Sequence, residues 1–142
     1  MEKKDIDWGS LGFAYQPTDY SYVSNYADGA WDEGGLTIDH TVTLSECAGL
    51  LHYCQEVFEG LKAYTQKNGD IVCFRPNMNA KRMHDSAKRI CMPPFPEDRF
   101  VDAVMQVVKA NAAWVPPYGS GATLYVRPLM FATGEVIGVK PA

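Results

Sequence analysis

Residues 57–76 read VFEGLKAYTQ, KNGD and IVCFRP, two β-prone runs on either side of an Asn-Gly dipeptide. No other feature constrains the fold as strongly. Asn-Gly is the strongest short-range signal for a hairpin, because these residues accept positive φ at little cost. The pattern predicts antiparallel strands over 57–66 and 71–76. Alternation then places Phe58, Gly60, Lys62 and Tyr64 on one face of the strand, and Val57, Glu59, Leu61 and Ala63 on the other. Glu59 is out of place among apolar neighbours. Gly60, inside a strand, marks a bulge or a close approach by another group.

The remaining elements follow from similar signals. FAYQPTDYSYVSNY (13–26) reads as extended strand, and Asp28-Gly29 in ADGAWDEGG as a second hairpin turn. LTIDHTVTL (36–44) is β-prone, partly loop. Ser45 is placed to cap a short helical turn through SECAGLLHYC. Pro76 suits a first helical position, which predicts a helix over 77–90 that CMPPFP stops. Phe100, Val101, Val104, Met105 and Val108 recur at three-to-four spacing and predict a second helix over 97–114. ATLYVRPLMFAT (122–133) is a further strand. The order implies an α+β fold: a largely antiparallel sheet with two helices on one face. The chain finishes a strand and enters a loop near residue 134, so the expected division is a domain over 1–133 and the start of an interdomain loop over 134–142 of a longer protein.

Composition excludes several functions. The net charge of −4 provides no broad basic surface for nucleic acid. No apolar run approaches the ~20 residues that cross a bilayer, and MEKKDIDWGS lacks the apolar stretch of a secretory signal. Cys47, Cys54, Cys73 and Cys91 contain no C-x-x-C pair. They read as reduced, partly buried thiols of a cytoplasmic protein, with no metal site. His52 and His84 lack ligand-spaced partners. His84, Asp85 and Ser86 are consecutive on a helix and cannot face one another as a catalytic set.

Three stretches could carry chemistry. The first is HYCQEVFEGLKAY (52–64), whose plain reading is a hairpin with aromatic cross-strand pairs. The second is FRPNMNAKRMHDSAKRI (74–90), which clusters Arg75, Lys81, Arg82, Lys88 and Arg89. A guanidinium there could grip phosphate or carboxylate with parallel bonds, although most helical arginines are simply solvated. The third is LYVRPLMF (124–131), where Tyr125 and Arg127 share a strand face and suit a carboxylate pocket with an apolar wall. No Gly-rich phosphate cradle occurs.

Taken in order, HY-x-x-E-x-FEGLKAY, FRPN-x-N-x-x-RM-x-x-SA and LY-x-RP-x-x-F, with Trp114 and a closing G-V-x-P, resemble the N-terminal part of branched-chain amino-acid aminotransferases. These are fold-type IV enzymes dependent on pyridoxal 5′-phosphate. The resemblance implies a small N-terminal domain of a two-domain, cytoplasmic, homodimeric enzyme that moves the amino group of Leu, Ile or Val to 2-oxoglutarate. It implies that Arg82 binds the cofactor phosphate. Tyr53, Phe58 and Tyr15 would line the pocket for the aliphatic side chain, and Tyr125 and Arg127 a further wall, with Arg127 holding the distal carboxylate of glutamate. Ile137 and Val139 would reach toward the partner subunit's pocket. The Schiff-base lysine of the family belongs to the second domain, and no lysine here stands in its motif, so the chain by itself is expected to be inactive. The alternatives are another fold-type IV enzyme, a D-amino-acid transaminase or aminodeoxychorismate lyase, and a non-enzymatic ligand-binding domain.

Overall fold

The structure, a computed structural model, describes residues 2–12 and 14–141. Two small hairpins come first. β1 (Ser21–Val23) pairs antiparallel with β4 (Gly35–Thr37), and β2 (Tyr26–Ala27) with β3 (Ala30–Trp31). Asp28 and Gly29 have φ of 52° and 83°, the geometry expected of that turn. Residue 13 of the strand expected over 13–26 lies outside the described residues; 14–20 form no strand, and pairing begins at Ser21.

Helix α1 (Gly49–Tyr53) starts after Ala48 rather than at Ser45. Ser45 instead makes the preceding turn, its hydroxyl accepting from the Cys47 amide at 3.3 Å. The expected strand over 57–66 is broken in two. β5 (Glu56–Phe58) pairs with β9 (Leu129–Phe131), and β6 (Leu61–Thr65) pairs with both β7 (Ile71–Cys73) and β8 (Leu124–Val126), all antiparallel. The expected strand over 122–133 breaks at the same level, at Arg127-Pro128. The register nevertheless continues across the break. Phe58 opposes Leu129 and Leu61 opposes Val126, with Glu59 and Gly60 facing Pro128 and Arg127 between them. The Glu59 amide donates to the Pro128 carbonyl at 2.8 Å. Pro128 has no N–H to return, so the ladder lapses there.

Helix α2 (Pro76–Arg89) has Pro at its start, and α3 (Glu97–Ala110) has Glu97 and Asp98 in its first turn and Lys109 in its last, matching the helix dipole. Ala80, Met83 and Ala87 of α2 and Phe100, Val104 and Val108 of α3 are buried with Leu61, Ala63 and Met130 of the sheet. Both helices thus cover one sheet face, as the pattern implied. Met105 stands off this core, 44% exposed. A short 3-10 turn (Ala112–Trp114) follows α3.

Candidate functional site

The inward phase of β5 and β6 carries Val57, Glu59, Leu61 and Ala63, and Glu59 is 2% exposed. Burial alone would push its carboxyl up. It is held below the usual carboxylate range because three donors outweigh that penalty. Arg82 donates from Nε to Oε1 at 2.5 Å and from Nη2 to Oε2 at 2.7 Å. Asn79 donates from Nδ2 to Oε2 at 2.7 Å, and the Gly60 amide donates at 3.3 Å. The hydrogen bonds to Glu59, and then its charge, raise the pKa of Arg82 in turn. Asn79 and Arg82 are three residues apart on α2 and so reach the same carboxylate.

Arg82 is far more exposed than its partner, 69% against 2%. Its Nε edge is committed to Glu59. The opposite edge of the guanidinium has no acceptor among the described residues. It borders a groove of about 770 Å³ between α2 and β5, lined among others by Val57, Asn79, Ser86, Arg89 and Ile90. Lys81, also on its wall, pairs with Asp85 at 3.4 Å, while Arg89 makes no ion pair among the described residues. The groove therefore retains positive charge, a hydroxyl and an unused guanidinium fork. That donor set fits a phosphate dianion.

The outward phase forms a different surface. Phe58, Lys62, Tyr64, Tyr125 and Leu129 are all exposed. Arg127 lies 4.5 Å from the Phe58 ring centroid and 5.2 Å from that of Tyr125. A cation over two rings is held without losing its hydrogen-bond donors. Gly60 sits at the centre of this face. A β-carbon there would collide with the Tyr125 hydroxyl, so the close approach expected at this glycine is by Tyr125.

Phe58, Tyr125 and Arg127 are thus brought together, and Arg82 lies behind them, one peptide away through Glu59-Gly60. Tyr53 ends α1 and is 39% exposed, its ring 6.2 Å from that of His52. Tyr15, Ile137 and Val139 are exposed, Tyr15 in the irregular arm and the other two beyond an isolated bridge between Ala48 and Glu135. The four cysteines are free, and Cys54 and Cys91 are exposed rather than partly buried. Glu59 and Asn79 were missed as site residues. The signal for Glu59 was an acid in the inward phase; its partner, 23 residues away, could not be read from alternation.

No family model matches the chain. A branched-chain-amino-acid aminotransferase from Haemophilus influenzae is 54% identical over 98% of this chain and 40% of that protein. One from Helicobacter pylori is 45% identical over 98% of this chain and 41% of that protein. Among solved structures, the branched-chain amino acid aminotransferase from Escherichia coli superposes with a TM-score of 0.65 at 29% identity, covering 88% of this chain and 37% of that one. The enzyme of the same name from T.th., complexed with N-(5′-phosphopyridoxyl)-L-glutamate, gives 0.62 at 29% identity, covering 75% and 33%. The chain spans about 40% of the length of these curated relatives. Fold and site define the class, an α+β domain of the fold-type IV enzymes. Within that class the chain is similar, over nearly its whole length, to part of the branched-chain amino-acid aminotransferases.

Proposed function

We propose that residues 1–133 are the small domain of a pyridoxal 5′-phosphate-dependent branched-chain aminotransferase, with 134–142 leading toward a second domain. The intact enzyme moves the amino group of Leu, Ile or Val to 2-oxoglutarate, as a cytoplasmic homodimer. The observation that carries this reading is the back-to-back arrangement at Glu59-Gly60. An anion-ready arginine stands on one side of it, and an aromatic wall bearing a second arginine on the other.

Pyridoxal 5′-phosphate, when bound, supplies the electron sink for the chemistry. This chain's part is binding and orientation. Arg82 holds the phosphate with its unused fork. Phe58, Tyr125 and Tyr53 give the substrate side chain an apolar wall and exclude water from it, with Tyr15 closing over that wall. Arg127, resting on its two rings, accepts the distal carboxylate when glutamate is the donor. Ile137 and Val139 reach to the partner subunit's pocket. One extra methylene against such a wall is worth only ~1–3 kcal/mol, so discrimination among Leu, Ile and Val is modest. The lysine that anchors the cofactor lies, on this reading, in the part of the enzyme beyond this chain's span.

The test is Arg127→Ala in the intact enzyme. Losing a charge-assisted bond worth ~1.5–3 kcal/mol lowers kcat/KM for glutamate roughly ten- to hundred-fold and leaves leucine within a few-fold. Equal losses for both substrates would contradict the assignment, because they place Arg127 on the shared α-carboxylate or in folding.

A further inference from the structure

We infer that Glu59 is a positioning residue for anion binding: its buried carboxylate locks the Nε edge of Arg82 and turns the opposite edge toward the groove between α2 and β5. This deepens the reading above and rests on it, since it takes the anion to be the cofactor phosphate.

The geometry is directional. A guanidinium has five N–H groups in a fixed plane. Glu59 takes one from Nε and one from Nη2, at 2.5 and 2.7 Å. The remaining edge presents parallel N–H groups from Nη1 and Nη2, a second fork that matches two oxygens of a phosphate. Glu59 is itself held in place. Asn79 bonds its Oε2 at 2.7 Å and the Gly60 carbonyl at 3.2 Å, and the Gly60 amide returns a bond to the same carboxylate. The arginine side chain, 69% exposed, is therefore fixed at its inner edge only. Without that clamp a long, exposed arginine samples many rotamers, and fixing one of them on binding costs affinity. Net charge in the groove then rests on Arg89, which forms no ion pair among the described residues.

A positioning role and a simple charge effect predict opposite results. Removing a carboxylate near an anion site strengthens anion binding if charge alone matters. It weakens binding if the carboxylate aims the donor. The probes are pyridoxine 5′-phosphate and pyridoxine, which share a ring, lack the aldehyde that reacts with lysines, and differ only by the phosphate. Binding to this one wall is weak, so NMR titration of the 142-residue chain reads it. In the wild type the phosphorylated probe binds more tightly, and Arg82→Ala abolishes the difference. Glu59→Gln, which keeps the reach but loses the charge, lowers the phosphate preference by roughly five-fold or more. Glu59→Asp keeps the charge, so it is the variant to rely on if Glu59→Gln does not fold. It shortens the reach and lowers the preference in the same direction. A purely structural role weakens both probes equally and leaves the ratio unchanged. A ratio that holds or rises in the Glu59 variants, with Arg82→Ala behaving as stated, overturns the positioning role alone. No phosphate preference in the wild type overturns the Arg82 reading, and the positioning role with it.

Discussion

At the scale of single residues, the site turns on one dipeptide. Glu59 and Gly60 are adjacent, yet they serve opposite faces of the sheet because the side-chain period is two. The glycine is required by contact rather than by torsion. Its φ is not in the left-handed region, but a β-carbon would meet the Tyr125 hydroxyl and ring. Gly60→Ala thus either displaces Tyr125 from Arg127 or strains the strand, at a cost of ~1–3 kcal/mol. Adding Tyr125→Phe removes the colliding oxygen. In chemical denaturation the double variant regains at least half of the stability that Gly60→Ala loses. If the two substitutions are simply additive, the hydroxyl contact does not explain the glycine. The oddness of Glu59 and Gly60 was legible in the sequence, since an acid and a glycine interrupt a β-prone run. The identity of what each faces was not, because Arg82 and Tyr125 arrive from elements that alternation cannot place in space.

At the scale of elements, local signals fix more of the structure than long-range ones. Both hairpin turns and both long helices lie where turn residues and three-to-four spacing put them, because each is decided within a dozen residues. The breaks at 59–60 and 127–128 were partly legible: Gly60 marks a bulge or close approach and Pro128 cannot donate a ladder bond, but the burial alternation runs through both undisturbed. That the two breaks face each other only the pairing reveals. The N-terminal arm failed for a related reason. It is held by scattered bonds rather than a strand: the Lys4 amide and the Lys3 ammonium donate to the Ala113 and Ala112 carbonyls, and a buried side chain holds Tyr20. Asn111, 1% exposed at the end of α3, accepts from the Tyr20 amide at 3.0 Å and donates to the Tyr20 carbonyl at 2.9 Å, and it also bonds the Val107 carbonyl at 2.9 Å. A side-chain amide here does the work of a neighbouring strand. Asn111→Ala leaves the Tyr20 amide and carbonyl unpaired, at a cost of ~1–3 kcal/mol, while the Val107 carbonyl keeps its bond from the residue 111 amide. Hydrogen exchange at the Tyr20 amide accelerates well beyond what the global loss accounts for. Exchange that rises uniformly across the chain would show that Asn111 supports the core and not the arm.

At the scale of the whole molecule, burial is uneven. One sheet face is packed under α2 and α3, while the other presents Phe58 at 58% exposure and Phe74 at 77%, together with Tyr64, Tyr125 and Leu129. Large apolar side chains exposed together, even with Lys62 and Arg127 among them, suit a surface that another body covers. The relatives are more than twice this chain's length, and on the proposed reading a second domain covers this face. On the proposed reading, residues 1–142 alone carry one wall of a cleft, with Arg82 as its phosphate donor and no lysine in the anchoring motif. The expected behaviour has two parts with one cause. Mixed with pyridoxal 5′-phosphate, leucine and 2-oxoglutarate, the chain forms glutamate no faster than the free cofactor does. In sedimentation velocity it self-associates with rising concentration, because a second copy is the only apolar surface on offer. Phe58→Ser reduces the association by lowering the apolar area removed from water, at ~25 cal/mol per Å². A chain that stays monomeric at high concentration would mean that this face is wetted and not built for cover. Turnover above the cofactor blank would mean that one of its eight lysines, at 3, 4, 62, 67, 81, 88, 109 or 140, does the anchoring. Lys62 would be the first to replace, since it stands directly opposite Tyr125 on the exposed face.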